Sequence, residues 1–409
     1  MNGIEYLKKK LNTKKARVRE RYTFYEMKDI MQRPSALIPP ELRWMNECLG
    51  WCAKSVDSLA DRLIVTGFRN DNFDMKGIYD MNNGDVLFDS AILSALISSC
   101  SFIYISPVVD EDGNTQIPNM QVIDGGHATG IIDDVTWLLK EGYAVLQYDE
   151  NDNPILEAYF EPGKTTYYEK GKEPYSVEHS APYCCLVPII FRPDAVRVFG
   201  HSRISRACME LQKSAKNILR NIEVCAEYNS HPQKYVLGMS EDAEFNGRLA
   251  DLSSFLRIDK DEDGDRPVVG QFNQISMTPY IEQLKMFASL FGGETGLTLD
   301  DLGFAGANPS SAEAIKATHE SLRLTAKKAQ RNFSTGFINA GYIAACLRDN
   351  IPYKRNAIYE TTVAWSPLFE PDSSALSGIG DGIIKINQSI PDYINNETMR
   401  DLTGIVHYE

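Results

Sequence analysis

One long amphipathic segment constrains the fold of this chain more than any other feature. Apolar or small residues recur along it at alternating spacings of four and three, at Ile204, Cys208, Leu211, Ala215, Ile218, Ile222 and Cys225. A repeat near 3.5 residues is typical of a helix that packs along a narrow seam. Polar side chains lie on the opposite side, at Arg206, Glu210, Lys213, Asn217 and Arg220. The pattern therefore predicts one helix over 203–230 with a packing edge and a mostly basic edge.

A compact insert and a second helix are predicted after this segment. Pro232 disfavours a helical conformation in the residue before it, so the helix should end there and QKYVLG should form a strand. Helical spacing follows over 240–257, and then an acidic turn precedes another strand. The second helix is expected over 278–291, with its own seam at Ile281, Leu284, Ala288 and Phe291. Two long helices flanking a small insert predict a hairpin with the insert at its tip.

The rest of the chain indicates an α+β protein. Alternating short runs between 103 and 198, separated by turn clusters, predict a sheet with hairpins. Ser310 and Glu313 form a capping box at the start of a long helical pattern. The predicted helices outside the hairpin span 1–22, 41–64, 86–98, 311–347 and 375–387, with a short one ending at 404 and a strand at 361–365.

Composition excludes several classes of protein. The 409 residues carry a net charge of −14, which argues against a surface that binds nucleic acid or anionic lipid everywhere. Residues 1–22 are the local exception, since they hold eight Lys or Arg against two Glu. This basic arm could contact DNA, contact an acidic neighbouring subunit, or be a solvated helix face. No apolar run is long enough for a membrane span or a signal peptide, so a cytosolic protein is expected.

The cysteines and the acidic and glycine motifs predict no catalytic, metal-binding or nucleotide-binding site. The eight cysteines lie in apolar contexts without zinc spacing, which indicates reduced core residues rather than a Cys48–Cys52 pair. DKDEDG at 259–264 begins like a calcium loop, but the position for the bidentate Glu is Gly270, so a solvated turn fits better. GKT at 163–165 lacks the upstream glycine of a phosphate loop. We therefore predict no enzyme, no catalytic residue, no cofactor and no metal.

The seams and the glycine-rich stretch leave two arrangements open. A lone hairpin covers only part of two narrow seams, whereas identical copies packed side by side in a closed ring would cover both. Periodicity alone favours the other arrangement, a helical core within one subunit. Residues 292–309 hold five glycines and no steady period, which predicts a flexible loop. A plain surface connector is the alternative for that loop.

The order of these segments resembles that of portal proteins, the head-to-tail connectors of tailed bacteriophages, and in particular those of long-tailed phages. The resemblance extends over about 85–347. It rests on four stretches in order: FGHSRISRACMELQKSAKNILRNIEVCAEYNSHPQKYVLG, FLRID, MTPYIEQLKMFASLFGGETGLTLDDLG and NPSSAEAIKATHESLRLTAKKAQRNF.

This resemblance implies a ring-forming portal fold and a map of its parts. The expected parts are an N-terminal wing (1–202), stem helices (203–230 and 278–291), a clip (231–277), a tunnel loop (292–309) and a C-terminal wing (310–409). Because longer family members continue past the equivalent of Glu409, the crown should be reduced or absent. A twelve-fold ring of identical copies is implied, at one vertex of the virion, after assembly in the cytoplasm of the host bacterium.

The implied function is to conduct double-stranded DNA, without sequence specificity, during packaging and ejection. The implied partners are the terminase large subunit, the major capsid and scaffolding proteins, and the head-completion or tail adaptor, with no membrane. A virion adaptor that oligomerises without conducting DNA is the alternative.

The resemblance also assigns residues to these roles. The tunnel loop would present Thr298, Leu299, Asp300, Asp301, Leu302, Gly303 and Phe304 to DNA. Lys213, Lys216 and Arg220 of the stem would face the channel or an adjacent subunit. Asp259, Asp261, Asp263 and Asp265 of the clip would dock the terminase or the adaptor.

Overall fold

A computed structural model describes most of the chain, namely residues 3–29, 47–109, 115–151, 153–230, 234–237, 268–271, 273–304, 317–368, 373–391 and 393–403. It contains both helices and antiparallel strands, which confirms the predicted α+β class. The chain forms two compact units. One comprises Met1–Asp29, Gly50–Met209 and Gly292–Glu409, and the other comprises Ile30–Leu49 and Glu210–Phe291.

The first half of the chain provides four helices and nine strands among the described residues. In order these are α1 (Gly3–Tyr25), α2 (Trp51–Ala60), β1 (Val65–Arg69), α3 (Met75–Asp80), α4 (Gly84–Ser98), β2 (Cys100–Val109), β3 (Thr115–Asp124), β4 (Ala128–Ile132), β5 (Leu139–Tyr148), β6 (Pro154–Glu161), β7 (Lys164–Glu169), β8 (Tyr175–Glu178) and β9 (Leu186–Ile190). The hairpins predicted between 103 and 198 are therefore present.

The second half begins with the long helix predicted from the seam. Its described elements are α5 (Arg206–Ser230), β10 (Lys234–Leu237), β11 (Val268–Gln271), α6 (Thr278–Thr295), α7 (Glu320–Asp349), a 3-10 helix (Arg355–Ile358), β12 (Thr362–Trp365), α8 (Ser373–Ser389) and α9 (Asn396–Thr403). The predicted helix over 240–257, the acidic turn and the capping box of the 311–347 helix lie outside the described residues.

The described part of the larger unit contains three sheets, one of which is the antiparallel pair of β1 and β12. Strands β4 to β8 form a five-stranded antiparallel meander in chain order, and β2 lies between β3 and β9 in a three-stranded sheet. In the three-stranded sheet Ile103 pairs with Val122 on one side and Val187 on the other. All five residues of β9 are buried, as expected for a strand covered on both faces.

Helix α7 contributes a long apolar face to this unit. Its buried side chains include Phe333 and Phe337, four residues apart, so one helical stripe faces the core. The ring of Phe88 meets that of Phe337 edge to face at 4.8 Å, and Tyr79 donates a hydrogen bond to the Phe337 carbonyl at 2.7 Å. Burial raises the pKa of Tyr79, which keeps this phenol a neutral donor.

The basic helix α1 is docked on the five-stranded sheet. Leu7 and Leu11, one turn apart, are buried against Tyr143, Val145 and Tyr159. Burying each leucine contributes about 1.5–3 kcal/mol. Lys8 adds an ion pair with Glu157 at 2.6 Å. The N-terminal segment is therefore a structural layer of the unit, and its basic residues lie on a fixed helix.

The smaller unit contains most of α5 and α6 and the two-stranded sheet of β10 and β11. The strand pair confirms the two strands predicted within the insert. Of the predicted α6 seam, Ala288 and Phe291 are buried, whereas Ile281 is 51% exposed. Within one chain the buried part of the α6 seam therefore lies towards Ala288 and Phe291.

Candidate functional site

Helices α5 and α6 are connected by hydrogen bonds near both ends of the pair. In the larger unit, Ser205, just before α5, donates to Glu294 near the end of α6 at 2.9 Å. In the smaller unit, the amide of Asn229 donates to the Ile275 carbonyl at 2.9 Å and accepts from the Ile275 amide at 2.9 Å. The Cys225 thiol lies 3.7 Å from the Tyr280 hydroxyl. The predicted hairpin is thus closed by specific polar contacts.

Arg203 is a structural residue that the sequence pattern did not reveal. It lies before α5 rather than inside it, so the predicted helix start was three residues early. Its guanidinium is buried and donates to the carbonyls of Ser55, at 3.1 Å, and of Thr295. Burial lowers the pKa of Arg203 to about 10, and the side chain joins the start of α5 to the end of α6. Nothing in its spacing distinguishes it from a surface arginine.

The chain enters α5 through a glycine turn. Gly200 has a φ of +72° and lies against the backbone of Phe191, whose carbonyl accepts from the His201 amide at 2.9 Å. A side chain at this position would be strained and would clash with that backbone. The turn therefore fixes the direction in which the long helix leaves β9.

Two of the three predicted stem cations are buried, including Arg220, which the sequence pattern placed on the polar edge. Lys216 is 2% exposed and Arg220 is 3% exposed. Arg220 Nε donates to Glu47 Oε1 at 3.2 Å, and Nη2 lies 3.1 Å from Glu47 Oε2. Buried charges require such a partner, and Glu47 is 173 residues away in sequence, beyond the reach of a periodicity argument. The third, Lys213, is half-buried and pairs with Glu210 at 3.0 Å.

A row of three buried polar residues on α5 explains why Arg220 does not lie on the predicted polar edge. Gln212, Lys216 and Arg220 are spaced four apart and are all buried beside the apolar seam at Ala215 and Ile218. The buried face of α5 is therefore wider than the predicted seam. Arg206, Glu210 and Asn217 are exposed, as expected for the polar edge.

The start of the predicted tunnel loop is helical. Helix α6 continues through Gly292 to Thr295, four residues beyond the predicted end. Gly296, with a φ of +72°, terminates it, and its amide donates to the Gly292 carbonyl at 2.7 Å. This left-handed glycine is the usual end of a helix. The low helix propensity of Gly292 and Gly293 predicts a loop, but the helix continues through both residues.

Residues 298–304 form a capped turn. Thr298 Oγ1 donates to Asp301 Oδ2 at 2.9 Å, the Thr298 amide donates to the same oxygen at 2.9 Å, and the Asp301 amide donates back to Thr298 at 3.2 Å. The Phe304 amide donates to the Leu299 carbonyl at 2.9 Å. The described part of the loop is thus a defined turn rather than an irregular stretch.

The turn is attached to the larger unit by apolar and polar contacts. Leu297 and Leu302 are buried, and Asp301 Oδ2 lies 3.7 Å from His319 Nδ1. Asp300 and Gly303 are exposed. The structure therefore brings the predicted residues 298–304 together in one turn. Residues 305–309 and the four clip aspartates lie outside the described residues.

No group of three or more His, Cys, Asp and Glu side chains is arranged to hold a metal ion in the described part of the chain. Within the same residues, no helix is long and apolar enough to cross a membrane.

Comparison with known families decides what kind of protein this is. The model of the family described as Phage portal protein, SPP1 Gp6-like, matches residues 4–369. The chain belongs to this family of phage portal proteins. The resemblance stated from the sequence is therefore confirmed. Portal proteins are structural, non-enzymatic components of the particle, so the family also confirms the prediction that the chain is not an enzyme.

Two curated relatives carry the same family name. The portal protein of Mycobacterium phage L5 is 26% identical over 329 residues, which are 75% of this chain and 67% of that protein. The portal protein of Mycobacterium phage D29 is 26% identical over 336 residues, which are 77% of this chain and 68% of that protein.

Solved structures of gene transfer agent (GTA) particles show a weaker likeness. A chain from the virion of a native GTA particle is 12% identical with a TM-score of 0.42, and one from the neck of a native GTA particle, computed with C12 symmetry, is 14% identical with a TM-score of 0.43. Each comparison covers 87% of this portal chain and 90% of the other chain. Overlap at this level does not bear on function.

Proposed function

We propose that identical copies of this portal protein form a ring at one capsid vertex, through which double-stranded DNA is packaged and later ejected. The family match over residues 4–369 is the observation that carries the proposal. A twelve-fold ring, assembled in the host cytoplasm, is the form we expect. In it 203–230 and 278–291 would serve as the stem, 231–277 as the clip, and the residues on either side as the wing.

The turn at 298–304 is the part we assign to the channel wall. Each cation set against a phosphate adds affinity through counterion release, so a conduit needs a wall that does not hold the strand. Residues 292–309 contain Glu294, Asp300 and Asp301 and no Lys or Arg. Buried Leu297 and Leu302 would anchor this turn while exposed Asp300 and Gly303 face the DNA.

The burial of Lys216 and Arg220 supports the proposal that the stem, like the turn at 298–304, does not hold the DNA strand. Because both side chains are covered within one chain, they are unavailable to grip DNA in the bore. Of the three stem cations, Lys213 is the one that we still assign to the bore or to an adjacent subunit, and Glu210 of the same helix already pairs with it.

A loop deletion tests the proposal against a virion adaptor that does not conduct DNA. Removing Leu299–Ala305 should leave rings visible by negative-stain microscopy and abolish packaging in a reconstituted reaction. Asp300→Lys should slow packaging at low salt and recover as salt is raised, because added ions compete for the phosphate contacts.

Glu150→Lys is the matched control, since it adds the same charge at an exposed position in the β5–β6 turn and should package normally. Full packaging by the deletion variant would overturn the assignment of the turn to the channel.

A further inference from the structure

We propose that the larger unit carries a phosphate-binding pocket between helix α1 and the segment 196–200. The pocket has a volume of about 620 Å³ and is also lined by 98–100 and Gly125. We name it the α1 pocket. All of its lining residues belong to the larger unit.

The α1 pocket is lined by cations and by no carboxylate. Six side chains provide the positive charge: Lys9, Lys10, Lys14, Arg17, Arg21 and Arg197. In a chain with a net charge of −14, this concentration of one sign is the reverse of the average surface. Clefts lined by one sign of charge focus the potential and collect the opposite ion.

The buried ammonium group of Lys14 is the main indication of an anion site. Its Nζ is buried and has no hydrogen-bond partner among the residues that the structure describes. The rings of Phe102 and Phe199 lie 5.3 Å and 5.4 Å from this nitrogen, so cation–π contacts hold it in place. These contacts do not use the three N–H donors of the ammonium group. A buried ammonium with unused donors is expected to be completed by an acceptor such as phosphate.

The neighbouring cations are also held at fixed positions. Lys10 Nζ donates to the Gly130 carbonyl at 2.7 Å, and Arg21 Nη1 donates to the Ser98 carbonyl at 3.1 Å. Burial lowers the pKa of Lys10, Lys14 and Arg21, and repulsion between Lys10 and Lys14 lowers that of Lys10 further. A bound anion would offset both the desolvation and the repulsion.

The outer wall of the α1 pocket is shaped before any ligand arrives. Asp194 accepts from the amides of Val196, at 2.8 Å, and Arg197, at 2.6 Å, and it also accepts from His201 at 2.6 Å. These bonds fix the segment that carries Arg197 and Phe199. A preformed site loses less conformational entropy on binding than a flexible one.

Phosphate suits this pocket better than a carboxylate. A carboxylate brings a single charge, whereas a phosphate group offers more acceptor oxygens and, when terminal, more charge, which matches a site with three lysines and three arginines. Val18, Val198 and Phe199 add apolar surface that could cover an attached organic group. The same phosphate chemistry is available from a free phosphorylated small molecule or from a nucleic-acid backbone.

Titration calorimetry on the full chain tests the α1 pocket with three probes: inorganic phosphate, ATP and an oligothymidylate. Arg17→Gln removes an exposed lining cation, and Arg19→Gln is the matched control because Arg19 lies two residues away and lines a different cavity. We expect Arg17→Gln to weaken binding about tenfold and Arg19→Gln to leave it within about twofold. Lys14→Met, which keeps the apolar stem, should weaken binding at least as much.

The outcomes separate the sources and the alternatives. Binding of phosphate and ATP without the oligonucleotide supports a free phosphorylated ligand, and binding of the oligonucleotide displaced by phosphate supports a nucleic-acid backbone. Equal weakening by Arg17→Gln and Arg19→Gln would overturn the pocket in favour of a generally basic helix. Absence of binding by the unmodified chain at millimolar phosphate would overturn it as well. Because Arg17 is exposed, its replacement should not disturb folding.

Discussion

Replacing Glu47 by Gln should loosen helix α5 around Arg220. The two side chains are 3% and 4% exposed, and their contacts are 3.1 Å and 3.2 Å. Removing one charge of a buried pair leaves the other uncompensated, which typically costs about 3–5 kcal/mol. Gln retains one carbonyl oxygen as an acceptor, so we take the lower end, about 3 kcal/mol. This corresponds to about a 100-fold increase in local opening of the helix.

Hydrogen exchange measured by mass spectrometry is the suitable assay, because a chain with two compact units need not unfold in a single step. Peptides covering 212–224 should exchange about 100-fold faster in Glu47→Gln, provided that closing is faster than exchange. Glu210→Gln is the matched control. It removes the surface pair with Lys213, at 3.0 Å, and should change exchange by less than about threefold.

A double replacement distinguishes the loss of the ion pair from the effect of leaving one buried charge unpaired. Glu47→Leu combined with Arg220→Met removes both charges and keeps apolar volume, so it should restore most of the protection lost in Glu47→Gln. Equal exchange in Glu47→Gln and Glu210→Gln would refute the reasoning, because the pair would then contribute no more than a surface contact.

Three further predictions concern the clip, pH and thiol reactivity. Charge reversal across 259–265 should weaken capture of the terminase large subunit and of the tail adaptor in pull-downs, and unchanged capture of both would count against docking at this turn. Hydrogen bonds, chiefly from His201, lower the pKa of Asp194 to about 2. The stabilisation that this carboxylate contributes is therefore present above its ordinary pKa of 3.8 and is lost as pH falls towards 2. The difference in melting temperature between the unmodified chain and Asp194→Asn should narrow between pH 5 and pH 3. Cys48 is exposed, whereas Cys52 is buried and its thiol pKa is raised by desolvation. Maleimide should therefore label Cys48 in the native chain and Cys52 only after unfolding. Equal labelling rates for the two thiols would contradict the structure.

The elements that depend on local periodicity were predictable from the sequence. The seam predicted helix α5, Pro232 predicted its end at Ser230, and the alternating runs predicted the strands of the meander. Each of these patterns lies within one element, so the sequence contains the whole signal. The order of segments, rather than any one of them, indicated the portal family that the match over 4–369 confirms.

The features that depend on distant partners were not predictable in this way. Arg220 looks like a surface cation until Glu47 is brought against it, and Arg203 has no periodic signature at all. The prediction that α6 ends at 291 was wrong for a related reason, since packing can hold a helix through residues of low helix propensity such as Gly292. Tertiary contacts decide such positions, and one sequence read by itself does not contain them.

The most direct test of the proposed channel is an image of the purified protein. Negative-stain class averages should show a closed ring of identical copies, expected to be twelve, around a hole wide enough for a DNA duplex. A particle without a central opening, or a population of compact monomers at the concentrations used for packaging, would contradict the account.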